Sequence, residues 1–366
     1  MRDLLRELME GQQAWIVGGA VRDEVLGRPV VDLDVACHEP QAAARAFAAR
    51  AGGAPFPLSE RHGAWRVAFP DSRTIDFTPA PHGIEADLLT RDFTINAVAV
   101  PVAGGDYVDP AGGLVDLATR TLRAMHEDVF SDDPLRLLRA VRLGDELGFR
   151  LAPLTERLIR EHAERAAEPA GERILGELER LSVRGFDRLE ELGLLAPLGG
   201  SLKLRDRLEL VDSPEYRLVS VLGQALEKLP ISGELRRYGR TLRSAERPTD
   251  GSRRAIHRFR RKTEPWALDA LAYLGAPELG DAVRAAREAE PEQPLVRGDE
   301  LGLRPGPEIG RLLALIEEEQ AVGTITTRDQ ALELARRERE RGGGGVDWYP
   351  QPPPHRDDSE EERTRG

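Results

Sequence analysis

Between residues 14 and 125 the hydrophobic positions come in short runs rich in valine and isoleucine, namely Trp15-Ile16-Val17, Val30 to Ala36, Trp65 to Phe69 and Arg73 to Thr78. Glycine, proline and aspartate punctuate these runs, and helix-like stretches such as Gln41 to Arg50 fall between them, which predicts a sheet interleaved with helices. The N-terminal stretch from Met1 to Gln13 reads as a short amphipathic helix. From Asp133 the period changes to that of a helix: Leu135, Leu138 and Val141, then Leu154 and Leu158, then Ile174, Leu178 and Leu181, with proline and glycine at the breaks. The fold class expected is therefore α+β, a mixed sheet with helices over residues 1–125 followed by an all-helical remainder. Gly342 to Gly345 and the proline-rich, charged end through Gly366 hold too few apolar residues to bury, and residues 342–366 are expected to be a disordered tail. No internal repeat is evident.

Length and composition narrow this picture. A chain of 366 residues has room for two or three domains with real cores. Hydrophobic residues make up 40% and charged residues 32%, and no apolar run nears the ~18 residues of a membrane span. The N-terminus lacks the apolar stretch and cleavage site of a secretory signal, so a cytoplasmic protein without a membrane partner is expected. Cys37 is the single cysteine, which excludes an internal disulfide and leaves nothing to anchor a zinc site. The net charge of −12 means that a nucleic-acid partner must meet a local basic surface rather than the average field.

The chemistry concentrates in Trp15-Ile-Val-Gly-Gly-Ala-Val-Arg-Asp, followed by Val30-Val-Asp-Leu-Asp-Val. A strand running into Gly18-Gly19 and straight on into a helix makes a phosphate cradle, because backbone N–H groups approach an anion where side chains are missing. Asp32 and Asp34 stand two apart on the next strand, so both carboxylates share a face, a costly arrangement unless a divalent cation such as Mg²⁺ lies between them. Taken alone, a Gly-Gly turn is most often a tight turn, and an Asp-x-Asp a solvated strand face.

Order and separation raise the specificity. Gly18-Gly-Ala-Val-Arg-Asp with Asp32-Leu-Asp34, Arg91-Asp-Phe-Thr-Ile-Asn-Ala97, and Asp132-Asp-Pro-Leu-Arg-Leu-Leu-Arg-Ala-Val-Arg142 resemble, in this order, the class II tRNA nucleotidyltransferase (CCA-adding enzyme) and bacterial poly(A) polymerase family of the polymerase-beta superfamily. Weaker likeness continues through Glu172-Arg-Ile and returns in Gly298 to Gly310 and Gly323 to Arg328, so that it covers most of residues 1–341. The resemblance implies a polymerase-beta-like nucleotidyltransferase head over residues 1–125, a helical neck with a nucleotide-reading helix over 126–185, and a helical body and tail that bind tRNA over 186–341. It implies template-independent addition of C, and in the fuller reaction A, to the tRNA 3′ end from CTP and ATP with release of pyrophosphate.

For individual residues the resemblance implies that Asp32 and Asp34 hold two Mg²⁺ ions, with Asp76 in Thr74-Ile-Asp-Phe-Thr78 as third carboxylate. Arg22 pairs with triphosphate oxygens, or is a surface salt bridge. Arg91, Asp92 and Asn96 offer a cation, an acceptor and an amide, and by resemblance Asp92 and Asn96 serve sugar and phosphate recognition; an aspartate before Phe-Thr is also a common helix cap. Arg136, Arg139 and Arg142 make a basic stripe beside Asp133 on the predicted helix, where the alternative is a solvated face. Asp133 and Arg136 match the acid and arginine that read the incoming base in the family. The chain has Asp132 where the family often has Glu, and Leu143 where Phe is usual.

Arg236 to Lys262 contains eleven basic residues, among them Arg253, Arg254, Arg258, Arg260, Arg261 and Lys262, against Glu246 and Asp250, a local excess of nine positive charges. This is the footprint of phosphate-backbone contact in an acidic chain, or else a solvated basic face. The segment from Pro79 to Thr90 is short where many family members carry a longer loop, which in the family goes with enzymes that add two cytidines and stop. No His-Asp phosphohydrolase signature is present. Two rivals stay open, a poly(A) polymerase on the same fold and a non-catalytic RNA-binding protein.

Overall fold

The apolar runs of the N-terminal region pair into one sheet. In the computed structural model, which describes residues 1–59, 63–291 and 293–341, the strands are β1 (Ala14–Val17), β2 (Leu33–Cys37), β3 (Ala54–Ser59), β4 (Ala64–Ala68), β5 (Thr74–Pro79) and β6 (Ala99–Pro101). Their order is β3-β4-β5-β2-β1-β6, with β2 and β5 parallel and the other neighbours antiparallel. Period-2 alternation splits the side chains between the faces. Leu33, Val35, Val67, Ile75 and Phe77 pack on one face with Leu5 of α1 (Arg2–Leu8) and Phe47 of α3 (Pro40–Ala51). The intervening positions Asp34, Arg66 and Asp76 fall to the other face.

Strand β3 escaped the hydrophobic pattern because Pro55 and Pro57 interrupt it and its residues are exposed or half-buried. Proline is tolerated at such a place, since an edge strand leaves one row of backbone groups unpaired. The expected turn is present: β1 ends at Val17, Gly18 adopts φ 68°, and α2 (Gly19–Val25) begins at once.

The predicted base-reading helix spans Leu135–Leu147, buries Leu135, Leu138 and Val141, and ends on Gly148 with φ 65°, a left-handed cap that glycine adopts without steric cost. The helices Gly171–Leu178 and Val183–Glu191 pack against it. One departure from the all-helical expectation is a parallel two-residue ladder, Thr121↔Arg150 and Leu122↔Leu151, which ties the end of the head segment to the chain beyond this helix.

The chain divides into two compact units, Met1–Arg236 and the part from Arg237 on. Residues 1–125 and 126–185 both lie in the first, together with 186–236. In the second, Arg253–Thr263, Ala267–Leu274, Gly280–Glu288, Pro307–Val322 and Arg328–Arg341 are helices, and Leu312, Ile316, Ile325 and Ala331 form part of a buried cluster. No helix among the described residues is long and apolar enough to cross a membrane. The tail expected over 342–366 lies outside the described residues.

Candidate active site

A cleft of about 310 Å³ in the first unit gathers residues from four stretches of sequence: Gly18 and Gly19, Asp34, Thr90 to Asn96, and Asp133 to Arg139, with Arg173 beside them. Gly18 is favoured by its positive φ, and its missing side chain leaves room beside Arg91 and Asp34. A Cβ there would lie 2.8 Å from Arg91 Nη1 and 3.3 Å from Asp34 Oδ2. The bare turn thus lets the acid and the arginine meet the backbone at one point. Arg91 is itself steadied by Asp87, to which its Nη2 donates at 2.9 Å.

Asp34 stands opposite Asp76 in the parallel register of β2 and β5. Burial raises its pKa above the ordinary carboxylate value, Arg91 pulls it down, and the charges of Asp76 and Asp32 raise it again. Asp32 departs from expectation: it precedes β2 rather than sharing its pleat, is exposed, and accepts from the Thr74 backbone N at 3.0 Å and hydroxyl at 2.9 Å. Asp76 is held by Arg66, whose Nε and Nη2 donate to its two oxygens at 2.7 Å each. Oxygen donors of this kind suit Mg²⁺, and the mutual repulsion acting on Asp34 is what a cation would relieve. Among the described residues, however, no three such side chains are grouped closely enough to form a ready-made metal cage, because Asp32 and Asp76 are turned to Thr74 and Arg66.

The next layer is a chain of polar contacts that joins three elements. Arg22 of α2 donates from Nη1 to Asn96 Oδ1 at 2.9 Å, Asn96 Nδ2 donates to Asp92 Oδ1 at 2.9 Å, and Asp92 Oδ2 forms an ion pair with Arg139 Nε at 2.8 Å. Asp92 is only 9% exposed and also accepts from the Phe93 backbone N. Arg22 spends its other nitrogens on Asp23, and it is not among the residues lining the cleft. Sugar and phosphate groups would meet Asp92 and Asn96 already fixed in orientation.

At the far wall Asp133 accepts from Arg173 Nη2 at 2.6 Å and from the Leu135 backbone N at 3.1 Å. Burial tends to raise its pKa, but the Arg173 hydrogen bond, the Leu135 amide and the charges of Arg173 and Arg136 together hold it below the ordinary value. Arg136 reaches the carbonyls of Val129 and Thr90 only at 3.4 and 3.5 Å, which leaves its fork largely available beside the ionised Asp133. The expectation for Arg142 is corrected: its side chain is buried and bound to Glu177 and, at 2.7 Å, to Glu146. A stripe at three-residue spacing drifts about 60° per step and so about 120° by its third member, and Arg142 has turned from the cleft into the helix packing.

Arg173 and Arg66 were not singled out from sequence. The signal for Arg173 was the Glu172-Arg-Ile match; for Arg66 it was only a charged residue inside a strand.

Much of the basic run is paired within the fold. Helix Arg253–Thr263 lies against Pro307–Val322, where Arg254 pairs with Glu318 and Glu319 at 2.5 and 2.7 Å, Arg258 with Glu318 at 2.7 Å, and Arg261 with Glu317. Arg260 is buried and bridges Glu264 and Glu290, and Lys262 pairs with Glu246 at 3.2 Å. Partners some 60 residues away cancel much of the local excess. Arg253, Arg237 and Arg240 are exposed and form no ion pair among the described residues.

Comparison with known proteins agrees with this architecture. Residues 14–81 and 70–123 match the poly(A) polymerase head domain. The chain is 32% identical to the A-adding tRNA nucleotidyltransferase of Deinococcus radiodurans, over 90% of this chain and 96% of the relative. It is likewise 32% identical to the CC-adding tRNA nucleotidyltransferase of Thermus thermophilus, over 87% and 92%. The CCA-adding enzyme of Thermotoga maritima, solved in complex with tRNA, shares the fold with a TM-score of 0.74 at 22% identity, over 92% of this chain and 95% of that one. The head and its cleft are those of a nucleotidyltransferase. The chain belongs to the tRNA nucleotidyltransferase family.

Proposed function

We propose that the protein extends the 3′ end of tRNA without a nucleic-acid template, using CTP, releasing pyrophosphate and stopping after two cytidines. The observation that carries the reading is the single cleft in which the Gly18-Gly19 turn and Asp34 stand opposite Asp133 and Arg136. Gly18, Gly19 and Arg91 receive the triphosphate, Asp92 and Asn96 the ribose, and Arg139 holds Asp92 in place. Asp133 accepts from, and Arg136 donates to, the polar edge of the base. A base with the wrong edge leaves these groups desolvated and unpaired, which is the source of selection. Arg173 keeps Asp133 ionised and therefore an acceptor.

Asp32 and Asp34, with Asp76 behind them, are the residues that would hold Mg²⁺. Bound there, it would acidify the RNA 3′-hydroxyl and neutralise charge on the leaving pyrophosphate. The stop after CC is supported by the segment from Pro79, which runs through the helix Ile84–Leu89 directly to Arg91 with no added loop. In the second unit the exposed Arg237, Arg240 and Arg253, which form no ion pair among the described residues, are available to meet tRNA phosphates.

The test is incubation of the purified protein with tRNA lacking CCA, with each nucleotide singly and with CTP and ATP together, followed by sequencing of the ends. Extension by CC alone is expected. Efficient completion to CCA, or A addition to a tRNA ending in CC, overturns the stop at CC while keeping the transferase. ATP-only tailing of generic RNA points instead to a poly(A) polymerase, and no addition at all removes the catalytic reading.

A further inference from the structure

Three charged side chains form a row across adjacent strands on the cleft face of the sheet. Asp34 of β2 is the parallel register partner of Asp76 of β5, and Asp76 is the antiparallel register partner of Arg66 of β4. Register partners lie about 5 Å apart in Cα, so the row is fixed by the sheet and not by flexible loops. The geometry is unusual for a third active-site carboxylate, since both Asp76 oxygens are occupied by the Arg66 fork at 2.7 Å. A bidentate guanidinium of this kind is the strongest neutral-pH competitor for a carboxylate short of a metal ion.

We propose that Arg66 is a positioning residue that stands in for the cation, holding Asp76 turned toward β4 and releasing one Asp76 oxygen when Mg²⁺ and nucleotide enter. This rests on the nucleotidyltransferase reading of the same cleft. Its consequence is that the acids do not bind divalent cations tightly before substrate arrives. With Arg66 present, the row Asp34-Asp76-Arg66 carries one net negative charge; without it, two. An uncompensated charge at this range strengthens attraction for a divalent cation by a modest factor, since solvent screens it.

The experiment is titration of Mn²⁺ into the whole protein without RNA or nucleotide, read by the electron paramagnetic resonance of free Mn²⁺. Arg66→Met is expected to bind Mn²⁺ about three- to ten-fold more tightly than the parent, while kcat falls and KM for CTP moves little. Arg66→Lys, which keeps the charge and loses the fork, should return Mn²⁺ affinity to near the parent value but recover kcat only in part. A residue that merely braces the sheet would lower the melting temperature in Arg66→Met and leave Mn²⁺ affinity unchanged, and that result, in a variant with a native circular dichroism spectrum, overturns the proposal. Asp34→Asn separates the two readings. If it fails to weaken Mn²⁺ binding in the parent, the metal assignment of the cleft fails; if it does weaken binding and Arg66→Met has no effect, only the role of Arg66 fails.

Discussion

Arg142 sits one helical turn beyond Arg139, yet the two do different work because their environments differ. Arg139 is 43% exposed in its side chain and pairs with Asp92; Arg142 is 6% exposed and lies between Glu177 and Glu146. A buried pair adds little net stability over an apolar equivalent, but removing one partner strands the other charge. Arg142→Met is therefore expected to destabilise the first unit by roughly 3–5 kcal/mol, measured as a fall in the urea midpoint. Glu146 keeps Arg180 at 2.7 Å, so the stranded group is Glu177, and Arg142→Met with Glu177→Met should recover more than half of the loss. A stable Arg142→Met that has lost CTP binding would instead return this arginine to the cleft. Sequence could not separate the two arginines: three-residue spacing gives a stripe, but whether its last member meets solvent, ligand or a buried glutamate is decided by a helix some 30 residues on.

Pairs of helices tell the same story with charge. Helix Gly171–Leu178 presents Arg173 and Glu177 one turn apart, and so grips Asp133, just before helix Leu135–Leu147, and Arg142 on that helix. Helix Pro307–Val322 presents Glu317, Glu318 and Glu319 to the basic helix Arg253–Thr263. The Arg258 hydrogen bond, against the opposing effect of burial and with help from Arg254, holds the Glu318 carboxyl below its ordinary value. A carboxylate depressed in the folded state contributes stability above its unfolded pKa and loses it as pH falls through the folded one. The helices of the second unit should accordingly melt at lower temperature as pH drops from about 5 to about 3, and Glu318→Gln should flatten that dependence when followed by circular dichroism. An unchanged slope would mean these pairs are too well screened to matter. Apolar periodicity made helix Gly171–Leu178 and the base-facing helix Leu135–Leu147 legible in the sequence, and the strands that pack on α3 likewise, whereas the helices of the second unit were expected only as part of a helical remainder. The pairing of helices was not legible, because counting charges along a run says nothing of a partner on another element, and β3 was hidden by its prolines.

For the molecule as a whole, the proposed reading makes the exposed, unpaired arginines of the second unit the groups that meet tRNA phosphates. Arg237→Glu with Arg240→Glu is expected to weaken tRNA binding and reduce its salt slope by about 2, with no change in CTP affinity. Arg254→Glu with Arg258→Glu should unfold helix packing before it alters the slope. If the second pair alone changes the slope in a folded protein, the paired arginines open on RNA binding. The composition of the cleft has a further consequence, in time instead of space. Its parts lie between Gly18 and Arg173, and Arg173, which holds Asp133, is the last of them to be synthesised. A chain growing from the ribosome holds its phosphate cradle and acids well before it holds Arg173, and segments distant in sequence are ordered late. On the proposed reading, the nascent chain is without a means of choosing a nucleotide until Arg173 has emerged and docked, so that selectivity is acquired during synthesis as a property of the completed first unit.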